Sequence, residues 1–109
     1  ELWRACRLVV DTGVHHYRWT REEGIDYYMN NTANPEGDCI GMVERHIVWP
    51  GQAVSYKIGM LKVQELRAYA EQELGNKFSL QEFHDVVLKN GSVTMDVLEE
   101  IVVSWVDSK

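Results

Sequence analysis

The sequence predicts an all-α fold, an irregular bundle of about six helices with one long central helix. Three observations predict it. Apolar residues recur at i, i+3 and i+4 along nearly the whole chain. No segment sustains period-2 alternation, and no turn dipeptide separates two β-rich runs. Helix start and stop residues divide the chain into short periodic segments.

The first element runs over Leu2, Cys6, Val9 and Gly13, with Ala5 and Val10 beside them. Glu1, Arg4, Arg7 and Asp11 fall largely on the other face, so this is an amphipathic helix of about four turns. Gly13 either frays it or admits a close packing contact. Next, Thr20 with Glu23 three residues on is a capping box, in which each side chain satisfies the other residue's free N–H. It starts a short helix through Ile25, Tyr27, Tyr28 and Met29. Asn30-Asn31 is its expected end, because Asn tolerates the left-handed conformation.

Asn34-Pro35-Glu36 is a third start: Asn caps, Pro takes the first helical position, and Glu sits at the positive dipole end. Cys39, Val43 and Ile47 form its expected stripe, and Trp49-Pro50 stops it. The central helix then spans roughly Gly51 to Leu74. Its first half, Ala53 to Val63, is apolar almost all round, which predicts burial on all sides. Its second half sets Leu66, Tyr69, Ala70 and Leu74 against Glu65, Arg67, Glu71 and Glu73, and Gly75 is the stop. Ser79 with Glu82 repeats the capping box before the Leu80, Phe83 and Val87 stripe, which Asn90-Gly91 closes. Ser92 or Thr94 caps the last helix, whose face is Leu98, Ile101, Val102 and Trp105.

At 109 residues the chain is expected to form a single domain, residues 1–109, and 45% hydrophobic residues suffice for a modest core. Its 17 acidic against 11 basic residues give a net charge of −6. That balance argues against a nucleic-acid partner, which needs a basic face for phosphate. No apolar run approaches the ~20 residues that span a bilayer. Two cysteines exclude a disulfide scaffold, and no Cys/His spacing fits a structural zinc site. The chain opens mid-pattern at Glu1-Leu2-Trp3, with no initiator Met or signal segment, as expected of a C-terminal piece of a longer protein.

No His-Glu-x-x-His pair, Gly-x-Ser-x-Gly elbow or phosphate loop is present. The residues that look expensive for a plain bundle fall in three places. Asp11 and His15 share a helix face, with His16 adjacent. The carboxylate could orient an imidazole toward a substrate, or the two could be a surface pair at a helix end. Arg45 to Lys57 brings aromatic residues, a Pro-Gly turn and a helix N-terminus together. There Gln52, Tyr56 and Lys57 lie in the first two turns, and a phenol is a suitable donor to an oxyanion. The alternative is a core Tyr56 and a Lys57 that snorkels to water. His84 reads as a hydrogen-bonded structural residue, and Cys6 and Cys39 as small packing residues.

Three stretches carry a family resemblance: Glu1-Leu2-Trp3-Arg4-Ala5-Cys6-Arg7-Leu8-Val9-Val10-Asp11-Thr12-Gly13-Val14-His15, then Arg45-His46-Ile47-Val48-Trp49-Pro50-Gly51-Gln52-Ala53 with Tyr56-Lys57-Ile58-Gly59, and Glu82-Phe83-His84-Asp85-Val86-Val87-Leu88-Lys89-Asn90-Gly91. Over essentially its whole length the chain resembles the bacterial domain-of-unknown-function family eight-eight-five. That family is distantly similar to angiotensin-converting enzyme and thimet oligopeptidase, which are helical zinc peptidases. The resemblance implies a zinc motif upstream of this chain, so no metal ligand lies within it and zinc belongs to the full-length parent. It implies that Tyr56 stabilises the oxyanion formed when metal-activated water attacks a peptide carbonyl. His15, oriented by Asp11, would line the substrate cleft, and Arg45, Gln52 and Lys57 would hold peptide carbonyls or a carboxylate. The expected partners are the upstream zinc-bearing part of the same polypeptide and a peptide substrate, and the chain alone is expected to be inactive. Many relatives are extracytoplasmic, periplasmic or lipid-anchored. The sequence departs from the family pattern at His46, where a Tyr is usual. The rival expectation is a non-catalytic helical interaction or dimerisation module, motivated by the apolar helix Ala53–Val63. A truncation would expose the same surface, so a homodimer through a cut face is the expectation for a fragment.

Overall fold

Local signals place the helix ends. The computed structural model describes every residue from Glu1 to Lys109. It holds six helices, α1 (Leu2–His15), α2 (Arg21–Asn31), α3 (Glu36–Val48), α4 (Gln52–Leu74), α5 (Leu80–Lys89) and α6 (Met95–Asp107), with a single 3₁₀ turn at Gly75–Lys77. The all-α expectation holds. The Thr20 box is complete: its hydroxyl accepts from the Glu23 N–H at 3.1 Å, and Glu23 accepts from the Thr20 N–H at 2.7 Å. The expected box at Ser79 is only half formed: its hydroxyl accepts from the Glu82 N–H at 3.4 Å, while the Glu82 carboxylate pairs with Lys109 instead of the Ser79 N–H. Gly75 ends α4 in the left-handed region at φ +51°.

Two boundaries differ from the sequence reading. The second helix ends on Thr32 in extended backbone at φ −135°, not on a left-handed Asn. The third helix is capped by Pro35 itself, whose carbonyl accepts from the Asp38 and Cys39 N–H groups. Asn34 stands one residue outside, and α3 has no side-chain cap.

The helices form two compact units, Glu1–Ile58 and Gly59–Lys109. In the first, α1, α2 and α3 all pack on one another. Their shared core is Cys6, Val10, Ile25, Tyr28, Cys39 and Val43. Gly24 lies where the three helices meet: a Cβ there would come within 3.2 Å of Val10 and 3.3 Å of Val43. Both cysteines are buried free thiols, and burial raises the pKa of Cys6, which makes it inert packing rather than a nucleophile.

The α3 stripe is corrected by one position. Cys39 and Val43 are buried as expected, but Ile47 is exposed and His46 continues the stripe at 1% exposure. Position 46 is seven residues from Cys39, so either residue satisfies the helical period. Burial then depends on which one finds a partner. His46 has one: its Nε2 shares a 2.7 Å hydrogen bond with the hydroxyl of the fully buried Tyr28. An imidazole hydrogen-bonded to a phenol costs little to bury.

In the second unit, Leu66, Ala70 and Leu74 of α4 pack with Phe83 of α5 and with Leu98, Val102 and Val106 of α6. Most of the stripes read from the second half of α4 and from α6 are therefore core, with Tyr69 and Trp105 partly buried against it and Val106 in place of Ile101. On α5, Phe83 is buried while Leu80 at the start of its stripe is exposed, and His84 stands exposed beside Phe83. Lys62 pairs with Glu99 at 2.8 Å on the surface, where such a pair adds at most about 1 kcal/mol.

The first half of α4 overturns its expectation of burial on all sides. Only Ala53 is buried there, while Tyr56, Ile58 and Leu61 are each about half exposed. Composition says what a helix tolerates, whereas burial requires other elements to cover it. Toward α1 this stretch makes polar links instead: Arg7 to Gln52, Asp11 to Gly51 and Glu1 to Lys57.

Gly13 admits a close contact rather than fraying its helix, since a Cβ there would lie 2.4 Å from the Trp19 ring. The chain reverses through Arg18 at φ +60° to bring that indole back, and the Trp19 N–H donates to the Gly13 carbonyl at 2.9 Å. Gly13→Ala is expected to destabilise the protein by about 1–3 kcal/mol through overpacking, read as a lower denaturant midpoint at unchanged slope. An unchanged midpoint would mean that the indole moves freely.

Burial pushes the His46 pKa from 6.5 down to about 4, with Asp11 opposing and Arg7, His15 and Arg45 reinforcing the drop. The unfolded chain therefore binds a proton at His46 between those two values, whereas the folded chain does not. Stability from this residue is complete above pH 6.5 and is lost as pH falls toward 4, by about 3 kcal/mol in all. Chemical denaturation across that range should show the slope, and His46→Gln should remove it. An identical slope in the variant would assign the acid sensitivity to other groups.

Candidate functional site

The start of α4 determines where polar groups gather. Pro50 cannot donate a hydrogen bond, and Gly51 takes the left-handed conformation at φ +81°. The Gly51 N–H, just ahead of α4, donates to Asp11 of α1, with N···O distances of 3.0 Å to Oδ2 and 3.4 Å to Oδ1. Asp11 was expected on the polar face of its helix, yet its side chain is only 2% exposed. The physical reason is this donor, together with the positive end of the α4 dipole, which compensates the carboxylate for the water it leaves.

His15, one turn after Asp11, lies between two acceptors. Its Nε2 is 3.4 Å from Asp11 Oδ1 and 2.8 Å from the backbone carbonyl of His46. Asp11 and His15, with Thr12, His16, Gly51 and Val54, line an open cleft of about 380 Å³. The structure thus joins the carboxylate and imidazole that share a helix face in the sequence. It adds a third party, the α3 backbone at His46, which residue spacing could not supply.

The remaining sequence candidates fall into separate groups. Gln52 accepts from the Arg7 guanidinium at 2.9 Å. Arg7 also lies 5.0 Å over the ring of Tyr56, and Arg4 lies 5.5 Å over the same ring. Tyr56 is 47% exposed, so it is a surface aromatic residue beneath two cations, not a core one. Lys57 pairs with Glu1. Arg45 stacks over Trp49 at 5.0 Å, with no hydrogen bond to Asp11, His15 or Gln52. Thus the Asp11–His15 cleft and the Arg7–Gln52–Tyr56 cluster both sit between α1 and the first turns of α4, and Arg45 belongs to neither.

Four residues escaped the sequence reading: Arg4 and Arg7, which frame Tyr56, and Tyr28 and His46, which form the buried pair behind His15. Burial raises the Tyr28 pKa above its ordinary value of 10, so the phenol stays protonated. One signal for His46 was available, since a histidine on the Cys39–Val43 face needs a buried partner. Its identity was not available, because Tyr28 lies on another helix.

No three His, Cys, Asp or Glu side chains come together to hold a metal ion, so the residues of this chain do not fit a zinc site. No helix is long and apolar enough to cross a membrane.

The family model described as "Bacterial protein of unknown function (DUF885)" matches residues 1–102. No curated protein matches the chain. Among solved structures, the chain is similar to "the putative lipoprotein from Colwellia psychrerythraea", with 54% identity and a TM-score of 0.96. The match covers 98% of this chain and 18% of that one, so the chain spans about a fifth of the length of this relative. With nearly its full length matched, this chain belongs to the DUF885 family of bacterial proteins.

Proposed function

We propose that this chain forms one wall of the substrate cleft of a zinc-dependent peptidase, acting only as part of a longer protein. The observation that carries the reading is the buried Asp11 carboxylate at the start of α4, with His15 beside it on the wall of an open cleft. A carboxylate–imidazole pair on one helix, held by the Gly51 N–H and by the His46 carbonyl, is rigid enough to orient a substrate group. Tyr56 supports the same reading. It sits one turn beyond Gln52 on α4, partly exposed, with the Arg4 and Arg7 cations over its ring. A phenol so placed can donate to an oxyanion, and the two cations favour developing negative charge nearby.

In this reading Asp11 and His15 orient the peptide, Gln52 and Lys57 hold its carbonyl or carboxylate groups, and Tyr56 stabilises the oxyanion. Arg45, packed on Trp49, would act at the margin. Zinc would come from the part of the parent outside this chain, and no step here runs through it. The lipoprotein description of the Colwellia relative supports an extracytoplasmic, lipid-anchored setting.

The purified chain is expected to hydrolyse no peptide. In the longer parent, Tyr56→Phe should lower kcat on the order of 10²-fold with little change in KM, as loss of one oxyanion donor does. An unchanged kcat would remove Tyr56 from the chemistry.

One observation favours a second reading as a helical interaction module: Ile58 and Leu61, three residues apart on one face of α4, are each about half exposed. Sedimentation velocity separates the two. An oligomer in both this chain and its longer parent supports an interaction module. An oligomer in the chain alone identifies a surface that the parent covers.

A further inference from the structure

The hydrogen bonds around His15 fix more than its position. A backbone carbonyl can only accept, so the 2.8 Å contact from His15 Nε2 to the His46 carbonyl requires the proton on Nε2. Asp11 Oδ1, 3.4 Å from the same nitrogen, is a second acceptor and favours the same proton placement. The lone pair of the neutral ring is therefore on Nδ1. The carbonyl that sets this arrangement belongs to a residue whose own side chain is buried and bonded to Tyr28 at 2.7 Å. A second link holds the carboxylate, because Asp11 is fixed on the Gly51 N–H at 3.0 Å.

We propose that Tyr28 and His46 are positioning residues for His15, anchoring the carbonyl that keeps its proton on Nε2 and leaving Nδ1 as an acceptor for an N–H donor in the cleft. His15 in its neutral form is thus not the carbonyl donor that a carboxylate–imidazole pair first suggests. It meets the nitrogen side of a ligand, an amide N–H or an ammonium group. The ligand half of this proposal rests on reading the cleft as a substrate site, while the tautomer lock does not. The role is also distinct from core packing, because it is written in the protonation pattern of a different, partly exposed residue.

Long-range ¹H–¹⁵N correlation of the histidine rings at pH 8 tests the lock without any peptide hydrolysis, so it and the peptidase reading fail separately. His16, exposed on the same helix end, is the internal reference. His15 should be at least about fivefold more biased toward the Nε2–H form than His16, the ratio that one net hydrogen bond supports. Tyr28→Phe, which removes the anchor while keeping the ring, should return the ratio toward that of His16. His46→Gln, which keeps an acceptor for the phenol, and Asp11→Asn, which keeps a carbonyl for Gly51, should both preserve the bias. A wild-type His15 that is unbiased or in the Nδ1–H form overturns the lock. So does a bias that survives Tyr28→Phe in a folded protein, or one that Asp11→Asn abolishes. If Tyr28→Phe fails to fold, the wild-type ratio and the other two variants still decide.

For the ligand, His15 Nδ1 should shift on titration with N-acetylglycinamide or with methylammonium, whichever source the cleft takes, and not with N,N-dimethylacetamide, which only accepts. A response to neither donor, or an equal response to dimethylacetamide, overturns the ligand class.

Discussion

The hydrogen bond from the Gly51 N–H to the Asp11 carboxylate is the contact on which the first unit's arrangement depends. A charge that is almost wholly buried is tolerated only where donors replace the lost water. The start of a helix supplies both a free N–H and a favourable dipole end. This one contact fixes the beginning of α4 against the C-terminal half of α1. Gln52, Tyr56 and Lys57 then follow on the next two turns, where Arg7, Arg4 and Glu1 meet them. With the carboxylate fixed, His15 one turn later is held in reach of the α3 backbone. The cleft and the Tyr56 cluster are thus consequences of a single buried carboxylate and a left-handed glycine.

Behind that contact stands a core that is small but closely fitted. Gly24 lets α2 approach both α1 and α3, and Gly13 lets the Trp19 indole close over the end of α1. Tyr28 and His46 carry polar atoms into this core and satisfy each other there. Two buried polar groups that lose their partners cost more than two apolar ones would, so the pair rigidifies α2 against α3 only while it is intact and His46 is neutral. The partly exposed cleft therefore rests on an interior whose polar bond is sensitive to acid.

The chain belongs to its family over nearly its whole length, and it spans about a fifth of the length of the Colwellia relative. This bears on the exposed aromatic and aliphatic side chains of α4. Tyr56 shows how the same exposure suits two roles. An aromatic ring under two guanidinium groups suits the donor of the proposed peptidase reading and the contact residue of the interaction reading alike.

The sequence by itself determined the helices: their number, their caps at Thr20 and Ser79, the stop at Gly75, and much of their buried faces. Those faces are Cys6, Val10 and Gly13 on α1 (though not Leu2, which is exposed), Leu66, Ala70 and Leu74 on α4, and Leu98 and Val102 on α6. These follow from interactions within a few residues along the chain, namely capping hydrogen bonds, the allowed backbone of Gly and Pro, and the 3.6-residue period. It also brought Asp11 and His15 together, because one helical turn separates them. Only the tertiary structure decided that Asp11 is buried, that His46 rather than Ile47 faces the core, and that the apolar start of α4 is half exposed. Those outcomes depend on which distant group faces each side chain. Gly51 lies 40 residues from Asp11, and Tyr28 and His46 come from different helices. The period of a helix gives the direction of a side chain but not what waits there, and for a polar group the partner decides whether burial is favourable.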